Sequence, residues 1–195
     1  MEATSDHDID AALLAACFDQ IAAHGWSRLS IPRAAQAAGI PLDTARRRLP
    51  DRYALLLRFG ARADAVTLKD APPDGPPRDR LFDLVMRRID ALQAYRPGVI
   101  ALLRALPFDP PAAMLLAAAS LRTTSWLLEA AGIDAAGPRG QLRRAGMLAV
   151  WAWTLRAWER DDSADMAATM AALDTALGRA EQAAGWLAPR PSPPA

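Results

Sequence analysis

Residues 25 to 60 read GWSRLSIPRAAQAAGIPLDTARRRLPDRYALLLRFG and predict short helices joined by tight turns. The first helix is expected over residues 31–38, because Ser30 is a favoured N-terminal cap and Pro32 suits an opening helical turn. Gly39 can adopt the left-handed backbone conformation that ends a helix. The pattern therefore predicts a helix that stops sharply and a chain that turns at once.

A second helix is predicted over residues 42–49, where Pro41 fixes φ at its start. Arg46, Arg47 and Arg48 follow one another on it. Three consecutive residues spread over roughly 200° of a helix surface, so at least two of these arginines must face solvent or a partner.

Positive charge is concentrated in this region. Between Gly25 and Arg62 there are eight arginines and two acids, Asp43 and Asp51, a net charge of +6 in a chain whose total is +1. Asp51 is also the expected N-cap of a third helix. A short basic helix after a glycine turn has the dimensions to enter the DNA major groove, about 12 Å wide. The alternative is a solvated basic face on a three-helix core.

The order of residues from DAALLAACFDQIAAHGWSRLS to LPDRYALLLRF resembles the N-terminal DNA-binding domain of the TetR family of bacterial repressors. Matching positions are Gly25, Trp26, Ser30, Ala35, Ala38, Gly39, Ile40, Thr44, Pro50, Leu55 and Leu56. The chain departs from the family pattern at Ala45 and Arg46 for Leu-Tyr, Leu49 for Phe, Pro41 for the cap Ser, and Arg52 for Lys.

The arginines and this resemblance together predict contacts with double-stranded DNA at a palindromic operator. The predicted DNA-binding residues are Arg28, Ser30, Pro41, Leu42, Asp43, Thr44, Arg46, Arg47, Arg48 and Arg52.

The rest of the chain shows helical spacing and no strand pattern, so we predict an all-α fold. Further helices are expected at 9–24, 51–69, 79–95, 99–106, 112–131, 141–160 and 163–186. The helix at 112–131 is apolar nearly all round, which predicts burial on more than one side. The predicted domains are a helix-turn-helix unit at 1–55, a helical ligand-binding and dimerisation unit at 56–187, and a disordered Pro-rich tail at 188–195.

Apolar stripes on the last two helices predict a helical bundle shared by two copies, and the TetR resemblance implies the same homodimer. The predicted interface residues are Met147, Trp151, Trp158, Met166, Met170, Leu173 and Leu177. The resemblance also implies a cavity for a small apolar effector, predicted at Met86, Leu103, Met114, Trp126 and Trp151. Met and Trp at helical spacing are more often core residues than pocket residues.

A second resemblance gives a different function. Residues 78–187 are similar to the TetR-fold accessory proteins of ubiquinone biosynthesis, which bind lipid and a partner enzyme instead of DNA; the similarity is carried by LRRAGMLAVWAWTLRAWERDDSADMAATMAALDTALGRAE. The proline tail after Leu187 stands where those proteins can add a membrane-binding helix.

Other classes of protein find little support. The two histidines lie far from any acid cluster, and Cys17 is the one cysteine, so we expect no enzyme, no cofactor and no metal site. Asp161, Asp162 and Asp165 form a dense carboxylate group, which we interpret as a helix cap. The polar, acidic N-terminus and the lack of an 18-residue apolar run predict a cytoplasmic protein without a transmembrane segment.

Overall fold

The computed structural model describes residues 6–187, with side chains described for residues 8–183. Every regular element in that range is helical, which confirms the predicted all-α fold. The predicted disorder at 188–195 lies outside the described residues. The helices are α1 Asp6–His24, α2 Ile31–Ala37, α3 Leu42–Arg48, α4 Arg52–Leu68, α5 Pro77–Gln93, α6 Arg96–Ala105, α7 Pro110–Ala130, α8 Gly137–Arg160 and α9 Ala167–Leu187.

Prolines begin several of these helices. Pro77 and Pro110 are the first residues of α5 and α7, and Pro97 lies in the first turn of α6. These helices therefore start two or three residues earlier than predicted, because the first turn needs no hydrogen bond from the proline nitrogen. The gap that was predicted between residues 95 and 99 is therefore occupied by the first turn of α6, which contains Pro97.

The turn between α2 and α3 is built on a left-handed glycine. Gly39 has φ of 66°, and the backbone N–H of Ile40 donates to Ala35 O at 2.8 Å. The predicted side-chain cap at Ser30 is wrong: its hydroxyl makes no capping bond, and its backbone N–H donates to Gln20 Oε1 at 3.1 Å. Asp51 is confirmed as a cap, since its Oδ1 accepts the N–H groups of Tyr53 and Ala54 at 2.9 and 2.8 Å.

Contacts divide the chain into two compact units. One holds residues up to Val66 together with Asp90–Ser120, and the other holds Thr67–Ile89 together with residues from Leu121 onward. The predicted boundary between residues 55 and 56 lies within α4 and stays a prediction.

The core of the first unit forms where α1 packs on α6. Phe18 on α1 contacts the rings of Phe59 and Tyr95, with ring centroids 4.5 and 5.3 Å away. The α1 backbone comes so close to Gly98 on α6 that a Cβ there would lie 2.4 Å from the Phe18 carbonyl oxygen. The glycine is therefore required by the packing of the two helices.

In the second unit α8 packs along α9. Asp161 ends α8 and holds the start of α9, because its Oδ2 accepts both the N–H and the hydroxyl of Thr169 at 2.7 and 2.8 Å. Its Oδ1 accepts from Ser163. These hydrogen bonds, led by those from Ser163 and Thr169, hold the pKa of Asp161 far below its usual value. The carboxylate is thus a structural cap, although α9 begins at Ala167, later than predicted.

Helix α7 does not have the burial that its composition predicts. Met114, Leu121 and Trp126 are exposed by 73%, 40% and 64%, while Leu127 and Leu128 are buried. Within the described residues no single helix is both long and apolar enough to cross a membrane. Arg96–Phe108 and Pro110–Ala130 reach that length and composition together, and they meet at a bend of 117°.

Candidate nucleic-acid interface

The outward face of α3 is formed by Leu42, Asp43, Arg46 and Arg47, all exposed. Ala45 lies on the opposite face and is buried against the rest of the first unit. A small buried residue lets α3 pack closely on its neighbours, and the four larger side chains remain available on the surface. The sequence argument that at least two of the three consecutive arginines face outward is confirmed.

Arg47 is held on this face by its own helix. Its Nη1 donates to Asp43 Oδ2 at 2.6 Å, and its Nη2 donates to Thr44 Oγ1 at 3.0 Å. The hydrogen bond from Arg47 is the main reason that the pKa of Asp43 lies below its usual value. The guanidinium thus has a fixed orientation while both members of the ion pair keep 67% of their side-chain surface exposed.

Arg46 lies beside Arg47 and has a different partner. Its Nη1 donates to the Pro50 carbonyl at 2.7 Å, just beyond the end of α3. Bonding to carbonyls at a helix C-terminus is favourable for a cation. Arg46 is therefore exposed and anchored at one nitrogen.

Arg48 does not belong to the exposed face, contrary to the prediction. Its Nη1 donates to Asp10 Oδ1 at 2.6 Å, and side-chain exposure is 17% for Arg48 and 21% for Asp10. Arg58 on α4 pairs with the other carboxylate oxygen. Asp10 thus ties the end of α3 and the middle of α4 to the first turns of α1, and Arg48 is a structural residue.

Arg52 also has partners within the first unit, and its predicted contact with DNA stays a prediction. Its Nη2 lies 3.1 Å from Asp109 Oδ2, and its guanidinium carbon lies 5.4 Å from the centre of the Trp26 ring. Trp26 Nε1–H donates to the same carboxylate oxygen at 2.8 Å. This hydrogen bond is the main reason that the pKa of Asp109 is lowered. Asp109 Oδ1 also accepts the N–H of Ala112 in the first turn of α7.

The remaining predicted DNA-binding residues lie at or near the surface of α2, α3 and the turns before them. Arg28 and Pro41 are exposed, and Ser30 and Thr44 are half-buried. Arg33 on α2 is exposed as well, although it was not among the predicted residues. Its position in the opening turn of α2, directly after Pro32, was the signal that could have identified it.

The predicted effector pocket is not assembled as expected. Met114 and Trp126 are on the surface, so they cannot line an enclosed cavity. Met86 and Leu103 are half-buried. Trp151 is 8% exposed, with the Arg88 guanidinium carbon 5.3 Å from its ring centre.

Most of the predicted dimer residues are packed inside the subunit. Five are buried: Met147, Trp151, Trp158, Leu173 and Leu177. Met166 and Met170 are half-buried. Side chains used in this way have almost no surface left for a second copy. The exposed uncharged residues of α8 beyond its first turns are instead Leu142, Ala145, Gly146, Ala149, Ala152 and Trp153.

Comparisons with known proteins give the fold. A TetR transcriptional regulator from Nitrosomonas europaea is similar to this chain with a TM-score of 0.74 and 21% identity, over 89% of this chain and 98% of that one. A TetR transcriptional regulator from Rhodococcus sp. RHA1 is similar with a TM-score of 0.58 and 16% identity, over 91% and 97%. The chain has the TetR fold. No protein-family model and no curated protein matches the sequence.

The TetR fold identifies the motif to which the helices that carry the exposed arginines belong. The helix-turn-helix is formed by α2 and α3. These comparisons do not favour the lipid-carrier alternative.

Proposed function

We propose that this chain is a homodimeric DNA-binding transcriptional regulator that reads a palindromic operator with α3. The observation that carries the proposal is the outward face of α3, where Arg46 and Arg47 are exposed; Arg28 and Arg33, in the segment before α3, are exposed as well. These residues put three exposed guanidinium groups on the helix-turn-helix and a fourth, that of Arg28, just before it. Guanidinium groups suit both phosphate oxygens and guanine edges.

The proposed set of DNA contacts is smaller than the sequence predicted. Arg48 and Arg52 are each paired with a carboxylate inside the first unit. Pulling Arg52 away would leave Asp109 without a cation, and pulling Arg48 away would leave Asp10 with Arg58 alone, each at a cost in free energy. We therefore assign phosphate contacts to Arg28, Arg33 and Arg46.

A dimer is part of the proposal because α8 presents an apolar face. Leu142 and Trp153 are each 53% exposed, and the small residues Gly146 and Ala149 lie between them at helical spacing. On α9 the exposed residues Ala168, Ala171 and Thr175 are also small and follow helical spacing. Two such helix pairs can approach closely, and a dimer would bring two copies of α3 to one palindromic operator.

The effector is proposed as a small apolar compound bound in the second unit. Five residues were predicted to line the effector pocket. Of those that belong to the second unit, two are not exposed: Met86 is half-buried and Trp151 is buried. The Arg88 guanidinium carbon lies 5.3 Å from the centre of the Trp151 ring.

The test is selection of bound duplexes from random DNA, combined with native mass spectrometry of the purified protein. Our proposal expects one palindromic sequence whose half-sites are about ten base pairs apart, bound by a dimer. Recovery of no preferred duplex, with an isoprenoid or acyl lipid bound to the protein, would favour the lipid-carrier alternative.

A further inference from the structure

Asp43 stands in an unexpected place for a protein that binds DNA. It lies on the outward face of α3, one helical turn before Arg47, and 67% of its side chain is exposed. A carboxylate on this face would be repelled by DNA phosphates. Asp43 is in the first turn of α3, where an acid complements the helix dipole by about 0.3–1 kcal/mol, and its exposed ion pair with Arg47 contributes little more to stability. A role in reading DNA accounts for it better, and this inference rests on the function proposed above.

The contacts of Arg47 suggest what that role is. Asp43 holds Nη1 at 2.6 Å and Thr44 holds Nη2 at 3.0 Å, so both terminal nitrogens are fixed by residues of the same helix. A guanidinium has five N–H groups in one plane. Two are used here, which leaves one on each terminal nitrogen and the one on Nε to meet a partner.

The partner that matches such an edge is guanine. In the major groove guanine presents two acceptors, O6 and N7, whereas adenine presents one acceptor and one donor, and cytosine and thymine present no such pair of acceptors. A long flexible arginine could swing from a base to the nearest phosphate. Both terminal nitrogens of Arg47 are bonded to neighbouring side chains. Swinging from the base to a phosphate would therefore mean breaking the bonds to Asp43 and Thr44.

We propose that Asp43 and Thr44 are positioning residues that orient Arg47 to read one guanine in each operator half-site. Asp43 lowers the general attraction of α3 for DNA and raises its preference for the correct base pair. The two effects have opposite signs, and this makes the role measurable.

The experiment compares wild-type protein with Asp43→Asn and Arg47→Lys on duplexes randomised within the selected half-site, and on duplexes of random sequence. Wild type should prefer guanine at one base pair by about 10- to 100-fold, in the range of a good bidentate contact. Both variants should reduce that preference to about threefold or less at the same base pair. Asp43→Asn should also bind random duplexes several-fold more tightly than wild type.

Matched variants separate positioning from charge and from folding. Asp19→Asn removes the same charge from an exposed residue of α1 and should leave the guanine preference unchanged. Thr44→Val should weaken the preference and Thr44→Ser should restore it, because serine keeps the hydroxyl. Circular dichroism and thermal unfolding establish that each variant is folded.

Three results would overturn the inference. Asp43→Asn could keep the full guanine preference, or the Asp43 and Arg47 variants could relax different base pairs, which would mean that Asp43 itself accepts from a cytosine amino group. Wild type could select a half-site in which no guanine depends on Arg47. Failure of wild-type protein to bind any duplex is a separate result, and it would remove the proposed function together with this inference.

Discussion

Neighbouring arginines in the basic segment differ in what holds their guanidinium groups. Arg47 is paired on the surface, whereas Arg48 is paired with a carboxylate that is mostly shielded from water. A surface pair adds about 0.3–0.5 kcal/mol to stability and leaves the remaining N–H groups of the guanidinium accessible to a binding partner. Breaking a partly buried ion pair costs more free energy. Net charge along a segment therefore overestimates how many cations are available to bind a polyanion.

Replacing Asp10 with Asn should destabilise the first unit in a pH-dependent way. Partial burial alone would raise the pKa of Asp10, but hydrogen bonds from Arg48 and Arg58 bring it below the usual value. A lowered pKa in the folded state means that the stabilisation is complete at neutral pH and is lost as the pH falls below about 4. We expect Asp10→Asn to cost about 1–3 kcal/mol at pH 7, measured by urea unfolding.

The same measurement at pH 3 should show a clearly smaller difference between wild type and Asp10→Asn. A difference that stays constant across this range would contradict the ionic role of Asp10. Asp19→Asn, at an exposed position on the same helix, is the control and should change stability little at either pH.

Cys17 should be inert in the folded protein. The thiol is buried, and burial raises its pKa to about 12. Thiolate is the reactive form, so reaction with a disulfide reagent at pH 8 should be slow in buffer and fast in urea. The rate should follow the fraction of unfolded protein. Rapid labelling under native conditions would show that the α1 core opens locally.

Individual helices were predictable where an opening or closing residue has a single structural meaning. Gly39 ends α2 and Asp51 caps α4, both as the sequence indicated. Errors arose where one residue type is compatible with two structures. Pro97 lies in the first turn of α6, whereas residues 96–98 were expected to separate two helices. The apolar composition of α7 likewise did not reveal that Met114 and Trp126 face outward.

The sequence indicated where the candidate site lies, but it did not indicate which carboxylates pair with the arginines. A run of three arginines indicated a basic helix, but nothing in the local spacing showed that Asp10 would meet Arg48 from 38 residues away. The link between Arg52 and Asp109 spans a still longer separation. Such pairs depend on how α1, α4 and the start of α7 pack, which periodicity alone does not give.

The contact between α1 and α6 gives a test at the level of elements. Gly98→Ala would place a methyl group 2.4 Å from the Phe18 carbonyl oxygen, and backbone cannot yield as a side-chain tip can. The helices would have to separate, at a cost of about 1–3 kcal/mol or more.

Gly60→Ala on α4 is the matched control. A Cβ at Gly60 would meet no atom within 4 Å, so this change should stabilise the protein by about 0.5–1 kcal/mol through helix propensity. Chemical denaturation of both variants measures the difference. Equal effects of the two substitutions would contradict the close approach of α1 and α6.

For the whole molecule, assembly and DNA binding should depend on the exposed face of α8. Trp153→Arg places a charge in the proposed dimer contact and should convert the dimer to monomer, with a large loss of operator affinity. Trp126→Arg changes an equally large residue on α7 that is 64% exposed, and should leave the dimer intact. Sedimentation equilibrium distinguishes the two. A dimer that survives Trp153→Arg would place the interface elsewhere.

Salt dependence reports the phosphate contacts of the whole complex. Arg28→Ala and Arg33→Ala should each reduce the slope of log affinity against log salt by roughly one unit for every phosphate contact removed. Arg48→Ala should leave the slope nearly unchanged in protein that remains folded, because its guanidinium is paired with Asp10. An equal loss of slope in Arg48→Ala would return that residue to the set of phosphate contacts.

The carboxylate of Asp43 also bears on how quickly a regulator finds its target on a chromosome. A reading helix that binds tightly everywhere spends most of its time at the wrong positions. By weakening every incorrect encounter, one aspartate would shorten each stop during sliding and hopping, so the search would speed up while residence at the true operator is preserved.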